Sequence, residues 1–380
     1  MNEKQFQREI LDTEDLNFSP FATKNSAAWR KVPIYHSLRG SFARDRDHIL
    51  YSGSFRRYIG KTQVIYNAAS FDEQLANRSI HTLQVSQIAR SIGKILRLNL
   101  DLIEAIALGH DLGHAPFGHD GERILQDICR EYSLNLFFHN IHSLRVVDCL
   151  SDANRGMDLT FQVRDGIISH DGEVNEIVVR PDISKTEKDI QNYMRGKQNG
   201  EEVTISPSTL EGCLVRITDS ISYIGQDFED AVRIGLVKKN DLPDDIREAL
   251  GENNSEIINS LVRDVIKHSY GKNEISYSKE VARNVFQLKT FNLKRIYENQ
   301  SLKKERNKIR KAFFFLFEHF VEDIKGKKND SIVFQEWIFN RGEDNGKKYL
   351  NDYSPQEIVV DYLASMTDRY FLNAYRSLTK

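Results

Sequence analysis

Three of the chain's 11 histidines, His110, His114 and His119, lie in one stretch, HDLGHAPFGHDGE (110–122), beside Asp111, Asp120 and Glu122. Adjacent helical residues point about 100° apart, so His110 and Asp111 can grip one ion lying between them. His110 also follows Ile103 and Ile106 on a buried face, where an unpaired charge is costly and a divalent cation would relieve the cost. Two ligands are too few, so others must come from other helices. His81 is in line with Val85, Ile88 and Ile92, and Asp219 sits between Ile217 and Ile221. His81, His110, Asp111 and Asp219 therefore form a candidate set of two imidazoles and two carboxylates. Mixed N/O ligation suits one divalent ion of Mn, Mg, Fe, Ni or Zn without choosing among them.

Pro116 and Gly118 should break the helix after Gly113 and turn the chain back, so that His114 and His119 face the same cavity. His119 and Glu122 are then i, i+3, close enough for the carboxylate to orient and charge the imidazole, as general acid/base work requires. Tyr223, Asp227 and Asp230 follow Asp219 at intervals that keep all four within an arc of about 80°; for Asp230 a plain solvated face is an equal reading. His170-Asp171 repeats the HD dipeptide without the surrounding helical pattern and reads as a loop or supporting pair. Lys61 reads as a surface charge. In KKERNKIRKAFFFLFEHF (303–320) and just beyond, Ile309, Phe313, Phe317, Phe320 and Ile324 recur at helical spacing, which predicts a core or oligomer-contact helix.

The elements that must position these groups are helical. Apolar residues recur over 79–97 (Ile80, Leu83, Val85, Ile88, Ile92, Ile95, Leu96), over 101–112 and over 208–235. Strand-like alternation is scarce. The expectation is an all-α protein with an N-terminal arm (1–48), a catalytic core (49–236) and a helical C-terminal region (237–380). Loops are expected at 195–207, 326–331 and 340–348, and one short β-hairpin between EIVVRPDIS and VTISP. The composition, 40% apolar and 28% charged with net charge −2, is that of a soluble globular protein with no overall pull toward nucleic acid or membrane. Three widely spaced cysteines fit reduced thiols. The longest apolar run, AFFFLF, is far short of the ~20 residues that span a bilayer, and a cytoplasmic location is expected.

Several ordered segments together resemble the deoxynucleoside triphosphate triphosphohydrolases, the dGTPase-like branch of the HD-domain superfamily. They are SGSFRRYIGKTQVI (52–65), NRSIHT (77–82), HDLGHAPFGHDGE, FFHNIHSLRVV (137–147), TLEGCLVRITDSISYIGQDFEDA (209–231) and DYLASMTDRYFLNAY (361–375). Thr218, in place of a usual alanine, and Ile141-His142, in place of a usual polar pair, depart from the pattern. The resemblance implies a helical HD-type core and metal ligands at His81, His110, Asp111 and Asp219. It implies an acid/base pair at His119 and Glu122, with His139 and His114 in the same pocket. Gln63 matches a residue that meets the sugar 3′-hydroxyl, and Arg78 one that meets phosphate. Tyr223 and Asp227 match the pair that packs on deoxyribose where a 2′-hydroxyl would clash. The implied reaction is hydrolysis of a dNTP to deoxynucleoside and tripolyphosphate with Mn or Mg. The alternatives are another HD phosphohydrolase, such as a 5′-nucleotidase or phosphodiesterase, and a nucleotide-regulated DNA-binding protein on an idle HD scaffold. The expected partners are the dNTP, further copies of the chain in a homo-oligomer, and a regulatory nucleotide or single-stranded DNA.

Overall fold

The computed structural model describes residues 3–32, 39–62, 77–171, 177–299 and 303–379. Regular structure there is helical except for one antiparallel pair, β1 (Val178–Val179) with β2 (Ile275–Ser276). β1 lies in the expected EIVVRPDIS stretch, but its partner is not VTISP. The 203–207 backbone is held by isolated contacts instead: the Pro207 carbonyl accepts from the Asp182 amide at 2.8 Å and the Ile205 carbonyl from Arg216 at 2.6 Å. Pro207 has no N–H with which to extend a ladder.

The central helix, Leu100–Gly109, is capped by Asn99, whose side chain accepts from the Leu102 amide. It packs against four others: Ser41–Leu50, Arg78–Leu96, Phe161–Ser169 and Leu210–Arg233. That enclosure explains its sequence, LDLIEAIALG, which is apolar nearly all round. Gly93 lets Arg78–Leu96 approach closely, since a Cβ there would stand 2.4 Å from Ile103 Cδ1. The buried face of Arg78–Leu96 carries His81, Val85, Ile88, Ile92 and Leu96. Ile80, Leu83 and Ile95 belong to the same apolar count but lie on the outer side and are exposed.

Buried apolar side chains form two clusters. The larger one runs from Ala22 to Ile296 and surrounds the central helix. The second joins Ile124, Leu125, Ile128 and Cys129 of the Gly118–Glu131 helix to Phe313, Phe317 and Phe320 of Lys303–Lys325 and to helices near the C-terminus. The basic-aromatic run is thus core, with Ile309 and Ile324 also buried. Gly118–Glu131 is shared, because its other face carries His119 and Glu122 toward the first cluster. Arg306 fastens the junction with a 2.6 Å contact to Asp120.

Two expected loops are partly helical. Glu187–Gln198 covers the start of 195–207, and Glu343–Asp352 replaces most of 340–348. Glu343 and Asp344 in the first turn favour the latter helix, and buried Tyr349 anchors it. Among the described residues no helix is long and apolar enough to cross a membrane. Among the described residues Cys129, Cys149 and Cys213 form no disulfide.

Candidate metal and phosphate site

His110 caps the end of the central helix, and the chain turns through 111–117 before the next helix starts at Gly118. The helix therefore breaks a turn earlier than Pro116 and Gly118 alone predict. Phe117 and Gly118 both take left-handed backbone (φ 64° and 57°), and the Phe117 amide donates to Asp368 at 2.9 Å. Gly113 abuts the His139–Arg145 helix so closely that a Cβ would lie 2.1 Å from the Ser143 amide nitrogen and 2.5 Å from the His139 carbonyl. Backbone cannot yield there as a side chain can. Gly113→Ala is expected to destabilise the fold by about 1–3 kcal/mol or more through overpacking and to displace His139. A thermal melt and an activity assay check this; an unchanged melting temperature would contradict it.

The four proposed ligands converge from three helices and the turn. His81 Nε2 is 3.0 Å from Asp219 Oδ1 and 3.8 Å from Asp111 Oδ2. His110 Nε2 is 3.5 Å from Asp111 Oδ2 and 3.8 Å from Asp219 Oδ1. Both imidazoles are tied back by Nδ1. His110 Nδ1 lies 2.7 Å from the Ala107 carbonyl. His81 Nδ1 lies 3.0 Å from Ser222 Oγ, whose own proton goes to the Asp219 carbonyl. Each Nε2 is left as a lone pair facing the carboxylates, and His110 Nε2 is buried without a hydrogen-bond partner among the described residues. Two oriented neutral imidazoles and two carboxylates fit a divalent cation. Burial alone would raise the pKa of Asp111, but the Arg78 guanidinium beside it holds the carboxyl well below the usual carboxylate range.

Beside this set, His114 stacks on His139 with ring centroids 4.1 Å apart, and His114 Nε2 is 3.3 Å from Asp111 Oδ1. Glu122 reaches His119 Nδ1 at 3.4 Å. It is bound more closely to His139, accepting from the backbone amide at 2.8 Å and meeting Nδ1 at 3.0 Å. Burial works against a charged His139, yet Glu122 outweighs it and lifts the imidazole pKa to about 9. His119 stands half exposed at the mouth.

A cavity of about 470 Å³ joins these groups. Its walls include Tyr223 and Asp227, and five cations, Arg78, Arg123, Lys197, Arg216 and Arg306. Arg78 is fully buried and donates to Asp111 Oδ2, while its Nε and Nη2 have no partner among the described residues. Asp227 accepts from the Tyr297 hydroxyl. Asp230 is not on a solvated face: it is buried and accepts from Gln226 at 2.8 Å. Gln63 lies outside the described residues.

One expectation is overturned here, and one pair of alternatives is decided. Lys61 is buried, not a surface charge; its ammonium donates to the His114 carbonyl and, at 2.8 Å, to that of Ala364, pinning the HD turn to the C-terminal region. His170 is not in a loop but closes the buried Phe161–Ser169 helix, with Nε2 3.2 Å from His139 Nε2. Its available signal was that Val163, Ile167 and His170 fall on one helical stripe, as Ile103, Ile106 and His110 do.

Residues 78–224 match the HD domain, and residues 275–377 match the phosphohydrolase-associated domain. A deoxyguanosinetriphosphate triphosphohydrolase-like protein of Caldanaerobacter subterraneus subsp. tengcongensis is 36% identical over 98% of this chain and 95% of its own. One of Desulfatibacillum aliphaticivorans is 34% identical over 98% and 97%. The chain belongs to the HD-domain family of dGTP triphosphohydrolase-like proteins. A third relative of the same description, from Clostridium perfringens, is 36% identical over 90% of this chain and 87% of its own. The chain is accordingly an HD phosphohydrolase, and its His/Asp clusters can hold the divalent metal that HD domains bind.

Proposed function

We propose that the chain hydrolyses deoxynucleoside triphosphates, dGTP or several dNTPs, to deoxynucleoside and tripolyphosphate. The observation that carries this reading is a single cavity lined by His81, Asp111 and Asp219 of the ligand set and, one and two turns further along the helix that bears Asp219, by Tyr223 and Asp227. A sugar lying on those two side chains would set its 5′-phosphate at the quartet. The buried guanidinium of Arg78 and the other cations in the cavity walls suit the three phosphates that follow.

In the reaction, water adds to the α-phosphorus and the bond from that phosphorus to O5′ breaks, so O5′ must leave with a proton. A divalent ion on His81, His110, Asp111 and Asp219, Mn or Mg by preference, supplies Lewis-acid polarisation of a phosphoryl oxygen. His119 is the proposed proton donor to O5′, standing at the cavity mouth with Glu122 behind it. His139, held charged by Glu122, places a fixed cation beside the phosphates, and His114 buttresses it by stacking.

Sugar discrimination tests the assignment of Tyr223 and Asp227. If their packing leaves no room for a 2′-hydroxyl, the enzyme turns over dGTP far faster than GTP. Comparable rates would remove the pair from sugar selection and point to a general nucleotidase.

A further inference from the structure

The helix that bears Asp219, Tyr223 and Asp227 is tied along one face to the C-terminal part of the chain. Lys289 Nζ donates to Ser220 Oγ at 2.9 Å, Asn292 Nδ2 donates to the Ile224 carbonyl at 2.8 Å, and the Tyr297 hydroxyl donates to the Asp227 carboxylate. The acceptors follow at i, i+4 and i+7, which is one face of Leu210–Arg233. The donors follow in the same order on the segment that runs beside it.

The third tie depends on a change in winding. Lys279–Asn292 is α-helical, and it passes into one wider turn over Leu293–Tyr297, closed by the Glu298 amide on the Leu293 carbonyl five residues back at 2.9 Å. In an α-helix the positions that come round over Asn292 are 295 and 296. The wider turn takes one more residue and brings 297 round instead. Leu293 and Tyr297, its first and last residues, both line the cavity. Arg306 then holds the turn from the other side. Its guanidinium donates to the Tyr297 carbonyl and, at 2.6 Å, to Asp120, the neighbour of His119. Tyr297 is thus fastened through its backbone to the helix of the proposed acid and through its hydroxyl to the sugar wall.

We propose that Tyr297 is a positioning residue for sugar recognition: its hydroxyl fixes the Asp227 carboxylate in the orientation that accepts from the 3′-hydroxyl of the substrate. In a deoxynucleoside 5′-triphosphate the 3′-hydroxyl is the one donor that the sugar carries. A carboxylate has about four acceptor positions, so one bond from Tyr297 orients Asp227 without using it up. A buried acceptor that is already oriented loses less freedom when the sugar arrives. Tyr297 and Arg306 both lie in the phosphohydrolase-associated match, 275–377, so that region completes the substrate site. The inference rests on the proposed function for the placing of the sugar against Asp227.

The test compares dGTP with 2′,3′-dideoxyguanosine triphosphate on full-length wild type and Tyr297→Phe. Hydrolysis of each gives kcat and KM, and equilibrium binding of each is measured on chelator-treated protein. The wild type should prefer dGTP. Tyr297→Phe should lose about 10–100-fold in kcat/KM for dGTP, mostly through KM, and less than about threefold for the dideoxynucleotide. The preference for the 3′-hydroxyl therefore collapses. In an Asp227→Ala background Tyr297→Phe should add no further loss on dGTP, because the two side chains act as one unit. Equal losses on both nucleotides would make Tyr297 a purely structural residue and overturn the proposal. An unchanged dGTP reaction in Tyr297→Phe would overturn it too, as would a wild type indifferent to the 3′-hydroxyl. A wild type that hydrolyses neither nucleotide, yet binds dGTP more tightly and loses that preference in Tyr297→Phe, would sink the hydrolysis reading and keep the sugar contact.

Discussion

Asp111→Ala is expected to lose bound metal and hydrolysis together while the helices stay folded. Asp111 lies within 4 Å of His81, His110 and His114, and it accepts from the buried guanidinium of Arg78. No other carboxylate among the proposed ligands sits at the centre of the cluster in this way. Removing it leaves Arg78 and the imidazoles facing one another with a single carboxylate, that of Asp219, to offset them, so cation binding should fail rather than weaken. The protein should also become more sensitive to unfolding, since a buried guanidinium loses its partner, an effect of about 3–5 kcal/mol where no other group compensates. Metal analysis and a thermal melt of the purified variant check both parts. Full metal occupancy in Asp111→Ala would remove this residue from the ligand set.

The second large effect separates proton transfer from metal binding. His119 is outside the proposed coordination sphere, so His119→Ala should keep its metal and still bind nucleotide. Turnover should fall on the order of 10²–10⁴-fold if the imidazole protonates O5′. Glu122→Gln should cost at least as much. Glu122 reaches His119 at 3.4 Å, but it also holds His139 through the amide and Nδ1, so its removal releases two imidazoles at once. Metal content, nucleotide affinity and turnover measured on the same three proteins decide between roles. Wild-type turnover in His119→Ala would exclude it as the acid. Loss of metal in that variant would instead make His119 a ligand and leave His139 or His114 to donate the proton.

The helix faces that carry His81, His110 and Asp219 were legible because each lies on a long apolar stripe whose period is local, and Asp111 was legible as the neighbour of His110. His170 was obscured by its neighbours. Its helix, FQVRDGIIS, buries Arg164 and Asp165, which look like surface residues until their partners are known. Arg164 is matched by Asp148 and Glu187, and Asp165 by Lys185 and the Ser208 amide. Those pairings are made in three dimensions and leave no periodic trace. Lys61 is a stronger case, since one of its acceptors is Ala364, 303 residues away. The β1 partner was equally hidden, because two-residue strands contain too little alternation to specify a register. The reverse error arose at Ile80, Leu83 and Ile95, where apolar character alone implied burial and the helix turns them outward. Glu122 shows how spacing can be right and incomplete: i, i+3 places it beside His119, while its closer partner, His139, comes from a different helix.

The most direct measurement is identification of the phosphate product. Purified protein is incubated with each dNTP and Mn²⁺ or Mg²⁺, and the products are separated by anion exchange and assigned by phosphorus NMR. The account predicts deoxynucleoside and intact tripolyphosphate in equal amounts, from cleavage between the α-phosphorus and O5′. Orthophosphate with a nucleoside diphosphate, or pyrophosphate with a nucleoside monophosphate, would place the broken bond elsewhere and contradict it.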